Sequence, residues 1–183
     1  LRNVLIFFIF ILPVFGFSEK KTVTGRKAVQ SFAKQMRREK GWSLESYGGS
    51  FCNPEKNILI MRYITYGKYS RSESRRLLIE TAERFIDFVR KHEKYVRIFK
   101  DSKFSEENLK LSISFHDEND QLIQEEGCVA YISMLDEHQI IYCYEPENRK
   151  GFIHHQEEDE NYQEALAIVR KENESLSTLN TQP

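Results

Sequence analysis

Residues 109–116 read Leu-Lys-Leu-Ser-Ile-Ser-Phe-His, and they decide the fold class. Leu109, Leu111, Ile113 and Phe115 alternate with Lys110, Ser112, Ser114 and His116. Successive side chains of a strand point to opposite faces, so this period of two predicts a strand with one buried face and one polar, half-exposed face. Upstream of it, Ser70 and Glu73 stand three apart ahead of a stripe of Leu78, Ala82, Phe85, Val89 and His92, widened by Leu77, Ile86 and Phe88. That is a capping box followed by a helical apolar face, which predicts a helix long enough to cover much of a sheet.

Further back, residues 58–66 are apolar on both faces except for Arg62 and Thr65, which predicts a central strand. Residues 42–47 predict its neighbour, joined to it through the turn-forming residues 48–54. Val29, Phe32, Ala33 and Met36 recur at helical spacing and Gly41 follows them, which predicts a first helix. Downstream, residues 117–120 predict a turn, and residues 128–135 with 139–145 an antiparallel hairpin closed around Asp136 and Glu137. Tyr162, Ala165, Leu166 and Val169 predict a closing helix, and residues 175–183 a loose polar tail.

The expected order is therefore α-β-β-α-β-β-β-α. It describes a single α+β domain over residues 19–174, a mainly antiparallel sheet of about five strands packed by three helices. Length agrees: 183 residues suit one domain, and thirteen Phe with nine Tyr can fill a core, while eight Gly and four Pro argue against disorder.

Residues 4–17 are apolar apart from Gly16 and interrupted by Pro13. The run is too short for a spanning helix, which needs about 20 residues, and fits a signal peptide over residues 1–18. Gly16 and Ser18 are small residues two apart, so cleavage is expected after Ser18; cleavage after Gly16, or retention as an inner-membrane anchor, are the alternatives. The expected location is periplasmic or secreted.

The net charge of -1 hides an asymmetry. Residues 19–103 carry 21 Lys or Arg against 10 Asp or Glu, and residues 104–183 carry 5 against 18. Basic helices could meet an anionic surface; the favoured alternative is that the two halves join one fold and neutralise each other.

Chemistry is thinly marked. The chain holds no Gly-rich phosphate loop, nucleophile elbow, paired-cysteine motif or helical zinc signature, and no cofactor is expected. Three cysteines allow at most one internal bridge. Cys128 and Cys143 are the candidate pair, and they stand directly opposite only if the hairpin loop is the four residues 134–137. Cys52, His116 and Asp117 are the candidate catalytic residues, a thiol with a histidine and an acid at a strand end. His154 and His155 beside Glu157, Glu158 and Asp159 have zinc or nickel donor chemistry, but adjacent histidines need a third fixed ligand. The segment reads as a solvated loop and no metal is expected.

Lys110, Ser112 and Ser114 on the polar strand face, with Tyr63, Tyr66 and Arg62 on the neighbouring strand, are the candidate binding residues. The expectation is a non-enzymatic exported binding module that meets another envelope or secreted protein or an anionic surface. A small secreted hydrolase and a leader-anchored scaffold are the alternatives. Nucleic acid is not an expected partner, and a membrane is one only through an uncleaved leader.

Overall fold

The computed structural model describes residues 13–50, 57–96, 104–135, 138–146 and 154–179. Within them the chain is α+β, with a mixed sheet of six strands in the order β1-β2-β3-β4-β5-β6 and four helices. The elements are α1 (Pro13–Lys40), β1 (Ser43–Ser50), β2 (Ile58–Tyr66), α2 (Arg71–Arg90), α3 (Glu93–Val96), β3 (Leu109–His116), β4 (Tyr131–Met134), β5 (Gln139–Pro146), β6 (His154–Asn161) and α4 (Tyr162–Leu179). No helix among these residues is long and apolar enough to cross a membrane.

Two features of the sheet correct the expectation. First, β2 and β3 pair in parallel, whereas the other neighbours are antiparallel. Parallel neighbours cannot be joined by a tight turn and need a crossover of about a dozen residues or more; α2 supplies it. Second, residues 154–161 form a sixth strand instead of a loop. It carries no apolar alternation because the residues it turns toward the helices are Glu158 and Glu160, paired across the ladder with Tyr142 and Ile140. The expected loose tail is also helical at its start, since α4 runs to Leu179.

One hydrophobic cluster joins the layers. Ala28, Val29, Phe32 and Met36 of α1, six apolar residues of α2 including Leu78 and Phe85, and Tyr162, Ala165, Leu166 and Val169 of α4 meet Leu59, Met61 and Tyr63 of β2 and Leu109, Leu111, Ile113 and Phe115 of β3. Phe32 and Phe85 touch edge to face at 5.0 Å, and Phe85 meets Phe104 at 5.7 Å. The helix α2 starts as its sequence dictates: Ser70 Oγ accepts from the Glu73 N–H, and Glu73 Oε2 accepts from the Ser70 N–H at 2.9 Å. α1 packs on β1 and β2, α2 on β3 and β4, and α4 on β6 and α2.

Three arginines of α2 meet acids of the second half. Arg75 forks onto Glu160 at 2.6 and 2.7 Å, Arg71 pairs with Glu158, and Arg76 reaches Glu172 at 2.8 Å. Tyr142 Oη donates to Glu160 at 2.7 Å. Arg84 instead pairs with Glu39 of α1 and Arg90 donates to the Phe104 carbonyl at 2.8 Å, so neutralisation between the two halves accounts for three of the five arginines of α2.

Candidate functional site

All three long helices contribute to the one cluster, so the opposite face of the sheet receives no described helix. Alternation sends Ile58, Ile60, Arg62, Ile64 and Tyr66 of β2 to that face, with Lys110, Ser112, Ser114 and His116 of β3. The parallel register sets Ile60 beside Lys110, Arg62 beside Ser112, Ile64 beside Ser114 and Tyr66 beside His116. β4 adds Ser133 next to Ser112 and Tyr131 next to Ser114, and β5 adds Ile141 and Cys143.

Arg62, Tyr66, Lys110, Ser112 and Ser114 therefore lie on one surface. Tyr63 does not. A one-residue step puts it on the helix side, where it is fully buried against Trp42 at 5.9 Å and its hydroxyl meets Met61 Sδ at 3.9 Å. Burial raises the pKa of that phenol well above the usual range, so Tyr63 is a core residue and not part of a binding surface.

The polar face of β3 is not half exposed as its pattern predicts. Ser112, Ser114 and Ser133 are 9%, 7% and 2% exposed. Their hydroxyls form a short ladder: Tyr131 Oη donates to Ser112 Oγ at 2.9 Å, and Ser112 Oγ lies 2.8 Å from Ser133 Oγ. Around this floor stand Ile60 and Tyr66, 41% and 52% exposed, and Arg62, which lies 3.7 Å from Glu45. Tyr131 and Ser133 escape sequence reading, because only the register across β3 and β4 brings them beside Ser112.

At the end of this face the acid beside His116 is Asp120 and not Asp117. The Asp117 carboxylate accepts from the N–H groups of Gln121 and Asn119, both at 2.9 Å. Those bonds hold the turn and lower its pKa, so the group is committed to structure. Asp120 sits at φ 61, a left-handed conformation that Asp tolerates better than most residues. There its Oδ1 accepts from Tyr66 Oη at 3.0 Å and lies 3.1 Å from His116 Nδ1. Tyr66 and His116 meet edge to face at 6.3 Å. The hydrogen bond to Asp120 raises the pKa of the Tyr66 phenol. The signal available in sequence was a second Asp four residues after His116, within the turn.

Such a carboxylate can orient an imidazole, the first requirement of histidine base catalysis. Among the described residues no cysteine hydrogen-bonds His116, and Cys52 lies outside them. His138 faces Glu107 at 3.9 Å. The strand β6 contains His154 and His155, whose side chains are outside the description; among the described residues no group of three His, Cys, Asp or Glu could hold a metal. An open groove of about 460 Å³ between α2 and α4, lined by Arg76, Lys171, Glu172, Ser175 and Leu176, gathers none of the candidate residues.

Cys128 and Cys143 are free thiols. The hairpin register places Cys143 opposite Tyr131, and Met134 pairs with Ile140, so residue 134 belongs to the strand and the loop that would oppose the two cysteines does not form. Burial raises the pKa of the Cys143 thiol. In the folded chain Cys143 is expected to be alkylated by iodoacetamide at least about tenfold more slowly than in urea, because the thiolate is the reacting species. Peptide mapping by mass spectrometry checks this; equal rates in both states would show that the strand does not shield it.

No protein-family model, curated protein or solved structure matches this chain.

Proposed function

We propose that the chain is an exported binding module whose contact surface is the helix-free face of the sheet. The observation that carries the reading is the shared orientation of Arg62, Tyr66, Lys110, Ser112 and Ser114 on a face to which α1, α2 and α4 contribute nothing. The Arg62 guanidinium and the exposed Tyr66 ring, raised above a buried floor of mutually bonded hydroxyls, suit a polar partner that is held by charge and stacking. Export is proposed from the apolar run at residues 4–17.

A photo-cross-linking residue placed at Ile60 in producing cells is expected to give one discrete adduct. The same residue at exposed Ala167 on α4 should give none, and Arg62→Ala with Tyr66→Ala should abolish the Ile60 adduct. Matching adducts from both positions, or none from Ile60, would count against the reading.

The hydrolase alternative has the His116–Asp120 pair in its favour and lacks a described cysteine bonded to it. The anchored-scaffold alternative is favoured by one feature: α1 is helical from Pro13 through Gly16 and Ser18 to Lys40, so the end of the apolar run and the domain share one helix.

A further inference from the structure

On α2, Arg71, Arg75 and Arg76 are paired with Glu158, Glu160 and Glu172, and Arg84 with Glu39. On α1, Lys40 lies 3.8 Å from Glu80, but four other cations are placed differently. Arg26, Lys27, Lys34 and Arg37 are exposed, and none has an acidic partner among the described residues; of the neighbouring acids, Glu39 is engaged by Arg84 and lies 3.8 Å from Arg38. Counted from Gln30, these four cations stand at i−4, i−3, i+4 and i+7, so they share the helix face that Gln30 occupies. Gln30 Nε2 donates to Tyr47 Oη at 2.9 Å, which fixes that face beside β1.

Among the described residues β1 is an edge of the sheet, with no strand paired on its outer side. Its backbone bonds only to β2 among the described residues. Of residues 43–49 only Leu44 is partly covered, and the strand contains one charge, Glu45, and no Pro or Lys. Edge strands that must not pair are normally blunted by charge or proline. The other edge, β6, has Glu157, Glu158, Asp159 and Glu160 in its sequence and is blunted in that way.

We infer that the β1 edge, flanked by the cationic face of α1, is a docking site for an extended acidic peptide segment of another protein. Such a segment adds as a seventh strand beside β1. Its backbone satisfies the open N–H and C=O groups of Ser43–Ser50, and its carboxylates on the helix side meet Arg26, Lys27, Lys34 and Arg37. A second copy of the chain is the poorer occupant through this edge, because a symmetric pairing of β1 with β1 sets the two cationic helix faces against each other. This site is separate from the helix-free face and does not depend on it.

The test uses the full chain and a short labelled peptide of alternating Glu and Val. Fluorescence anisotropy is expected to show binding that weakens as salt rises, with amide shifts confined to β1 and the facing side of α1. The same peptide with Lys in place of Glu should not bind. Methylating its backbone nitrogens, which leaves the charges intact, is expected to weaken binding by roughly tenfold or more, as is Lys34→Glu with Arg37→Glu, two exposed positions that leave the fold intact by circular dichroism. Undiminished binding of the methylated peptide would reduce the site to unspecific charge attraction and overturn strand addition. No binding of the Glu-Val peptide, or self-association of the chain through β1 in sedimentation, would overturn the proposal outright.

Discussion

Replacing Glu160 with alanine is expected to destabilise the fold by about 2–3 kcal/mol, because it leaves the part-buried Arg75 guanidinium without its counter-charge. The two side chains are 12% and 10% exposed, and the same carboxylate accepts from Tyr142 and lies 3.4 Å from Arg71. The pair itself need not be strongly stabilising. Exchanging both partners for apolar residues, Arg75→Met with Glu160→Leu, is expected to leave stability within about 1 kcal/mol of the parent or to raise it. Urea denaturation of the single and double variants separates the cost of an orphaned charge from the worth of the pair. A single variant within about 1 kcal/mol of the parent would show that water reaches the site.

The pH dependence follows from the same group. Burial, the largest influence, pushes the Glu160 pKa up, and the hydrogen bonds and charges of Arg75, Tyr142 and Arg71 outweigh it, so the net shift is downward. A carboxylate whose folded pKa lies below its unfolded value contributes stability above the unfolded pKa and loses it as pH falls through the folded one. Acid should therefore weaken the parent more than the Arg75→Met, Glu160→Leu variant.

Phe85→Ala is expected to cost about 3–5 kcal/mol, by removing a buried ring and leaving a cavity where α1, α2 and the segment before β3 converge. Phe85 is fully buried and touches Phe32, Phe88 and Phe104. Phe85→Leu, which keeps most of the volume, should cost about 1–2 kcal/mol. Since domains are stable by only about 5–15 kcal/mol, the alanine variant should show a midpoint far below that of the leucine variant in guanidinium. Similar midpoints for the two would mean that the neighbours collapse into the space.

The elements that sequence made legible are those whose stability is apolar and local. The capping box at Ser70 and Glu73 and the buried stripe of Leu78, Ala82, Phe85 and Val89 form as written, and Tyr162, Ala165, Leu166 and Val169 seat α4 in the core. What sequence could not carry was anything set by pairing between distant segments. β6 is invisible to a hydrophobic pattern because its inward residues are acids made tolerable by arginines about 85 residues earlier. The parallel pairing of β2 with β3 depends on where α2 lands and leaves no local mark. The Cys143 partner turns on the hairpin register, which sets Tyr131 opposite it, three residues away from Cys128; Tyr63 is different, because alternation within β2 alone already separates it from Arg62 and Tyr66. Asp120 acquires its place beside His116 only through a left-handed turn. Five of the six residues read as a binding surface nevertheless share one face, since alternation within β2 and β3 is a local property.

The crossover that joins β2 to β3 also orders events during synthesis. Arg71, Arg75 and Arg76 leave the ribosome long before Glu158, Glu160 and Glu172 exist to meet them. Until then the apolar residues of α1, α2 and β2 lack the strands and helix of the second half that cover them in the complete fold, and exposed apolar surface of that kind favours wrong company. The late-arriving anionic half acts as the clasp that shuts it, drawn in by opposite charge and held by the last helix.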